Sequence, residues 1–212
     1  MRSYFSEFIG TALLLAIVAG SGLMGETLGA GNAAVALLGN SIATGAGLYV
    51  LITLLGPISG AHFNPVVSMM FWQLGSLDLK KMLGYWACQF SGAISGIWLT
   101  HFMFNLPLIQ ESNKVRTGAG IWASEFVSTL LLLSVIRIGD QEAKDRVPML
   151  VALTVTAGYW FTSSTFFSNP AVALARGFTN TFVGIAPNDV LGFVVAELLA
   201  ALVMVLVIKR KN

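Results

Sequence analysis

Two asparagine–proline pairs carry the polar chemistry of this sequence. The first lies in S-G-A-H-F-N-P-V at Ser59 to Val66, and the second lies in T-F-F-S-N-P-A-V at Thr165 to Val172. An asparagine amide offers N–H donors and a carbonyl acceptor, but it has no nucleophile. The side chains of Asn64 and Asn169 are therefore suited to hydrogen-bond the oxygen of a small neutral molecule, not to attack it.

Each pair also predicts the start of a short helix. Asparagine is a favoured N-cap, and proline is favoured at the first helical position because its missing N–H would have no partner there. The apolar run after each asparagine is about half of the ~20 residues that a membrane-spanning helix needs. Two half-length helices, one in each half of the chain, indicate a membrane pore or transporter built on repeats. Each pair and the residue after it is called a box below. The first box is Asn64, Pro65 and Val66, and the second is Asn169, Pro170 and Ala171.

The composition is that of a membrane protein with several spans. Of 212 residues, 56% are hydrophobic and 10% are charged, against roughly 25% charged in soluble domains. A net charge of +2, without a basic cluster among aromatic residues, argues against nucleic-acid binding. The single cysteine, Cys88, excludes an internal disulfide, and no Cys/His cluster has metal-ligand spacing. We predict one domain over residues 1–212, without metal or cofactor.

Long apolar runs predict an all-α membrane protein with six transmembrane helices and two re-entrant half helices. Away from the span ends, only Glu7, Glu125 and Glu197 are charged, and Arg137 lies one residue before the end of its span. The predicted spans are Tyr4 to Met24, Ala33 to Leu55, Met82 to Phe104, Ala119 to Ile138, Val147 to Thr165 and Val190 to Ile208.

An internal repeat is visible in the sequence. Ser6 to Leu15, S-E-F-I-G-T-A-L-L-L, returns as Ser124 to Leu133, S-E-F-V-S-T-L-L-L-L, and Gln89 to Ala93 returns loosely as Glu197 to Ala201. This recurrence also argues against a signal peptide at Met1 to Gly20. The repeats cover about residues 1–106 and 119–208. Because each repeat holds an odd number of spans, the second is inverted and its half helix starts from the opposite membrane face.

The basic residues predict the orientation. An even number of spans places both termini on one face, and the positive-inside rule makes this face the cytoplasmic one. We therefore expect a multi-pass protein of the cell inner (plasma) membrane. The predicted cytoplasmic side has Arg2, Lys80, Lys81, Arg137, Lys144, Arg146, Lys209, Arg210 and Lys211, and the opposite side has Lys114, Arg116 and Arg176.

Half helices from opposite faces bring their N-termini together near the midplane. Each N-terminus carries about half a positive elementary charge, so both repel a cation at the same point, whereas a neutral solute is hydrogen-bonded. Irregular backbone at this depth is tolerated where it is buried or lines a wet cavity. We therefore expect residues 56–63 and 163–168 to present carbonyl acceptors to the path.

Three further polar residues have alternative interpretations. Glu7 and Glu125 occupy matching places in the repeats, where a carboxylate either relays protons or accepts hydrogen bonds from the re-entrant loops. The structural role is favoured, because a relay needs further carboxylates or histidines between them. His62 is predicted to line the inner pore, while His101, at the outer end of its span, is given no role.

These motifs resemble the aquaporin and aquaglyceroporin (major intrinsic protein) family. The segment Ser59 to Val66 is similar to the family's S-G-A-H-x-N-P-A, and Asn169 begins the second box. The repeated S-E-F motifs and Y-W-A-C-Q at Tyr85 to Gln89 also fit. The resemblance covers essentially the whole chain. It implies a right-handed bundle, one pore per chain and a homotetramer in the lipid bilayer.

The resemblance assigns a selectivity filter to four positions: Thr44, Ala157, Phe166 and Val172. The family usually has Arg where this chain has Val172, so the constriction is expected to be wider and less polar. The aspartate that often follows in glycerol channels is also absent. This pattern is similar to bacterial aquaglyceroporins of arsenic resistance. Arg176, one turn beyond Val172, is either a cation of the outer vestibule or reaches lipid headgroups.

The leading functional hypothesis is a passive channel for water and small uncharged solutes. These include glycerol-sized polyols, with arsenite or related metalloid acids as further candidates. A secondary transporter is the alternative, because inverted repeats and broken helices also serve transporters. An enzyme is disfavoured, since no nucleophile, base and orienting group converge. Nothing in the sequence favours a purely structural tetramer.

Overall fold

A computed structural model describes residues 1–210, which form eight α-helices joined by loops. Six helices have 15 to 27 residues, whereas α3 and α7 have 9 and 7 residues. This confirms the predicted fold class. Lys211 lies outside the described residues. The helices are α1 (Arg2–Leu28), α2 (Ala33–Ser59), α3 (Pro65–Gln73), α4 (Leu79–Met103), α5 (Ala119–Glu142), α6 (Val147–Phe161), α7 (Pro170–Arg176) and α8 (Pro187–Lys209), with a 3₁₀ turn at Lys144–Arg146 before α6.

Several helix ends differ from the predicted spans, and the ends of α2 and α6 are the two that precede the irregular loops. Helix α2 continues to Ser59, and its C-cap Gly60 adopts a left-handed φ of 92°. The irregular segment expected from residue 56 therefore begins only at residue 60. Helix α6 ends at Phe161, four residues before the predicted Thr165. Apolar composition marks a membrane span, but the glycine at the cap and the local loop geometry decide where the helix stops.

Four helices, α1, α2, α5 and α8, are long and apolar enough to cross a membrane. Helix α6 has only 15 residues, and α4 contains the polar residues Gln89, Ser91, Ser95 and Thr100. Both pack into the same bundle, because α4 lies along α1 and α6 lies along α2.

The helix contacts occur in corresponding pairs. Helix α1 packs against α2 and α4, and α5 packs in the same way against α6 and α8. Each short helix contacts the last helix of the other half, so that α3 lies against α8 and α7 against α4. The short helices also contact each other. At 1.5 Å per residue they are roughly 14 and 10 Å long, well under a bilayer's thickness.

Glycines allow the close approach that places the irregular loops. A Cβ atom on Gly92 or Gly96 of α4 would overlap backbone carbonyl oxygens of α1. A Cβ atom on Gly10 would overlap the ring of Phe63, and one on Gly158 would overlap the ring of Phe166. The missing side chains therefore make room for one aromatic ring of each loop beside its helix.

Candidate functional site

The two short helices begin as predicted, at capping asparagines. The Asn64 Oδ1 accepts a hydrogen bond from the backbone N–H of Val66 at 3.0 Å. The Asn169 Oδ1 accepts from the backbone N–H of Ala171, also at 3.0 Å. Each oxygen thereby binds an N–H that has no partner within its own helix.

The same two side chains connect the halves of the chain. The Asn64 Nδ2 donates to the backbone oxygen of Ser168 at 2.7 Å, and the Asn169 Nδ2 donates to the backbone oxygen of Phe63 at 2.8 Å. Each amide nitrogen carries two hydrogens. One is used in this cross-connection and the other stays available to a solute, so the asparagines are held in place while they keep a donor.

The other residues of the two boxes are buried in the protein core. Val66 belongs to an apolar cluster with Met69 and Met70, and Ala171 lies in the main core. Pro65 and Pro170 are buried as well. The change from the family's usual Ala to Val66 is therefore a packing change that leaves Asn64 free.

The loops before both asparagines share an unusual backbone. Ala61 and Phe63 have φ values of 49° and 48°, and Phe166 and Ser168, in the matching places, have 57° and 48°. L-residues enter this left-handed region at a cost of roughly 1–2 kcal/mol each. Such strain persists only where surrounding contacts impose it, and it is typical of functional sites.

Glu7 supplies those contacts for the first loop. One of its carboxylate oxygens accepts from the Ser59 hydroxyl at 2.6 Å and from the His62 N–H at 3.0 Å. The other accepts from the Phe63 N–H at 2.7 Å and from the Gln89 amide at 2.9 Å. Both carboxylate oxygens of Glu7 therefore bind donors from the end of α2, the loop and α4. This is the arrangement expected of a structural acceptor.

Glu125 and Glu197 together hold the second loop. The Glu125 carboxylate accepts the backbone N–H of Ser168, and the Glu197 carboxylate accepts that of Asn169 at 2.8 Å. Glu197 lies beside Glu125, as Gln89 lies beside Glu7 in the first half. One oxygen of each of these two glutamates has no partner within residues 1–210.

Glu197→Gln is expected to fold at least as well as the native protein. The new side chain keeps a carbonyl oxygen for Asn169, and its amide can donate to the unpartnered oxygen of Glu125. Glu197→Leu removes the acceptor instead and is expected to destabilise by ~1–3 kcal/mol. Thermal unfolding in detergent measures both variants. A Glu197→Gln protein that unfolds as early as Glu197→Leu would contradict this pairing.

One cavity of about 150 Å³ contains both asparagines. Its polar lining includes the loop residues Gly60, Ala61 and His62, and Asp140 near the end of α5. Much of the remaining lining is aliphatic. The aliphatic lining residues include Leu14, Val18, Leu48, Ile52, Leu132, Ile136, Val147, Val151 and Val155. The cavity thus offers both hydrogen bonds and dispersion contacts.

His62 lies at this cavity, as predicted from its place before Asn64. Its Nδ1 is 3.0 Å from the Ser68 hydroxyl, and its ring stacks on Phe71 with centroids 4.9 Å apart. The imidazole is thereby held by α3 on two sides. It contributes a fixed polar edge to the lining.

Three of the four predicted filter residues line the cavity: Thr44, Phe166 and Val172. Ala157 does not, and this part of the prediction is wrong. It lies on the exposed face of α6, the face that also carries Leu153.

Tyr159 occupies the place expected for Ala157. It is buried, it lines the cavity, and its hydroxyl is 3.2 Å from that of Thr44. The cavity lining therefore includes a large aromatic ring where a methyl group was expected. Its hydroxyl is engaged by Thr44 and does not add a free charge.

His101 has a role that the sequence did not suggest. It is fully buried, its Nδ1 is 2.9 Å from the Leu108 carbonyl oxygen, and its Nε2 is 2.8 Å from the Thr179 hydroxyl. These contacts join the end of α4 to two loops. The signal available in the sequence was a histidine close to the end of a span, which alone does not name its partners.

Comparisons with known proteins agree with this geometry. The sequence profile of the family described as Major intrinsic protein matches residues 1–208. Aquaglyceroporin AqpS of Rhizobium meliloti (strain 1021) is 53% identical over 200 residues, which is 94% of this chain and 85% of that protein. Aquaporin-10 of Milnesium tardigradum is 32% identical over 127 residues, which is 58% of this chain and 30% of that protein.

A solved structure supports the same fold. The X-ray structure of the aquaglyceroporin from Plasmodium falciparum superposes with a TM-score of 0.73 at 21% identity, covering 96% of this chain and 93% of that chain. The family profile extends over nearly the whole sequence, and the capped half helices lie where the motifs place them. The chain belongs to the major intrinsic protein family.

Proposed function

We propose that the protein is a passive channel for water and small uncharged solutes, glycerol-sized polyols included. The observation that carries this proposal is a cavity whose lining includes both half-helix asparagines and many aliphatic side chains. A polyol has hydroxyl groups along one edge and C–H groups along the other. The first can bond to amides and carbonyls while the second packs on valine and leucine side chains. The name of AqpS, an aquaglyceroporin, supports the same solute class.

The filter in this proposal is formed by Thr44, Tyr159, Phe166 and Val172. Val172 leaves it without the usual guanidinium, so the narrow region is apolar on this side. Metalloid acids such as arsenite are therefore proposed as further solutes, because they are neutral, small and rich in hydroxyl groups. Tyr159 limits the width more than the predicted Ala157 would have done.

Cations and protons are excluded by the two helix N-termini. The termini of α3 and α7 direct their positive ends at the same part of the cavity, which raises the energy of a cation. Asn64 and Asn169 donate to the oxygen of a water molecule and so orient it, which interrupts a chain of proton transfers. No covalent chemistry is involved.

A secondary transporter fits the contacts less well. Coupling to an ion needs a carboxylate that is free to bind or release it near the solute site. Glu7 uses both oxygens for four protein donors, and Glu125 and Glu197 are fully buried and do not line the cavity. Asp140 does line the cavity, but from the last turn of α5. The structural role of the three glutamates therefore supports the channel.

The protein is proposed to work as a homotetramer in the cell inner membrane, with one pore in each chain. The outer faces carry large exposed apolar residues, such as Leu153 and Trp160 of α6, which suit lipid or a neighbouring subunit. The excess of Lys and Arg on one side supports cytoplasmic termini. The paired helix contacts support a single channel domain made of inverted repeats.

Purified protein in liposomes tests this function. Stopped-flow traces for water, glycerol, urea and arsenite, taken in one series, are expected to show faster equilibration than empty liposomes for water and glycerol at least. A pH-sensitive dye in the same vesicles should report no added proton leak. Traces that match empty liposomes for every solute would refute the channel, and a solute flux driven by an ion gradient would support the transporter.

A further inference from the structure

Arg176 ends α7 inside the cavity, not at the lipid surface. It is only 3% exposed and lines the same cavity as Val172. The two residues are four positions apart on one helix and therefore share a face. Of the two alternatives for Arg176, the structure thus selects the vestibule over the lipid headgroups.

The guanidinium of Arg176 is fixed, yet part of it stays free. Its central carbon is 3.5 Å from the centroid of the Phe167 ring, and its Nε donates to the carbonyl oxygen of Val183. Its two terminal nitrogens make no hydrogen bond to residues 1–210, and they are not among the enclosed polar atoms that lack a partner. These nitrogens therefore present N–H donors to the cavity.

The charge of Arg176 has no carboxylate partner among the described residues, where the one ion pair joins Lys114 to Glu26. A second guanidinium, that of Arg116, lies 5.8 Å from the centroid of the same Phe167 ring. The nearby Asp189 carboxylate accepts the backbone N–H of Arg116 at 2.7 Å. The Phe167 ring is thus flanked by two guanidinium groups, which gives this mouth of the cavity a positive potential.

We propose that Arg176 adds to the exclusion of cations by the half-helix N-termini, from a position one helical turn beyond the filter position that Val172 occupies. The inference rests on the proposed channel function. An uncompensated cation at a low-dielectric mouth repels other cations strongly, and its N–H donors bind oxygen-bearing solutes. Because the charge lies beyond the narrow region, it excludes cations without narrowing the filter.

Variants in liposomes test the proposal through the ratio of monovalent cation flux to water flux. Arg176→Gln is expected to raise the ratio about tenfold, because it removes the charge but keeps N–H donors. Arg176→Lys is expected to stay within about threefold of the native ratio, since it keeps the charge. Arg2→Gln removes one positive charge from an exposed terminus and serves as the control with a native ratio.

A second measurement uses only the native protein. Under a salt gradient, the residual ion leak through native channels is expected to favour small anions over potassium. A leak that favours potassium would overturn the proposal. So would a folded Arg176→Gln protein with the native ratio of cation flux to water flux, because Arg176 would then only hold the loop at Val183 in place. Water flux of the native protein in the same vesicles tests the channel itself, so the two failures are distinguishable.

Discussion

Val172→Arg is expected to lower glycerol flux by about tenfold or more, while water flux falls by less than about threefold. Val172 lines the cavity on the face of α7 that also presents Arg176. A guanidinium at position 172 fills the aliphatic side of the narrow region and adds donors beside Phe166 and Tyr159. A polyol then loses both the width and the apolar surface that it uses, whereas a single water molecule still passes.

Val172→Leu is the matched control for this experiment. It adds bulk without donors or charge, so glycerol flux should fall only modestly. Both variants are compared with the native protein by stopped-flow light scattering, normalised to the amount of folded protein. If Val172→Arg lost water and glycerol flux equally, or changed neither, the result would contradict the proposal that Val172 is a filter residue.

Glu7→Ala is expected to abolish most of the folded protein. Four donors lose their acceptor: the hydroxyl of Ser59 at the end of α2, the N–H groups of His62 and Phe63 in the loop, and the amide of Gln89 on α4. Each buried donor without a partner costs ~1–3 kcal/mol, and a typical protein has only ~5–15 kcal/mol of stability in total. The left-handed residues Ala61 and Phe63 would then relax, and Asn169 would lose the carbonyl oxygen that it binds.

Glu7→Gln separates this structural role from a proton relay. Glutamine keeps one carbonyl acceptor, so the variant should give more folded protein and a higher unfolding temperature than Glu7→Ala. Monodisperse yield and thermal unfolding in detergent measure the difference. A Glu7→Ala protein that unfolds at the native temperature would contradict the loop-holding role, and a change in proton flux confined to Glu7→Gln would favour the relay.

The half helices could be predicted from sequence because their signals are local. Asparagine as N-cap and proline at the first helical position act within one turn, so Asn64 and Asn169 identify the starts of α3 and α7 without tertiary information. The apolar runs likewise mark the long helices. Composition does not predict where these helices end, since α2 stops at the left-handed Gly60, whose conformation an apolar run does not reveal.

The wrong assignment of Ala157 to the selectivity filter has a geometric cause. The resemblance matches Ala157 to a filter position, but a loop lies between α6 and Asn169, and the length of this loop does not fix the rotation of α6 about its axis. The inward residue is Tyr159, two positions further along, which is a rotation of roughly 200° about the helix axis. A shift of two positions along the sequence is therefore enough to move a residue from the cavity to the opposite face of its helix.

Local sequence patterns do not predict which distant segments are in contact. The sequence indicated that Asn64 and Asn169 meet, but not that each amide binds the backbone oxygen of the opposite loop. The stacking of Arg176 on Phe167 and the position of Glu197 beside Glu125 also depend on how the helices pack. Such pairings follow from the bundle as a whole.

The most direct test of the account is whether solute passes beside Val172. The native Cys88 is half-buried and is not part of the cavity lining, so Cys88→Ser provides a background without cysteine. On it, Val172→Cys is expected to lose most of its water flux when treated with a small mercurial. Ala157→Cys, on the outer face of α6, should keep its flux although the reagent labels it. Unchanged flux through labelled Val172→Cys, or an equal block of both variants, would contradict a pathway between the two half helices.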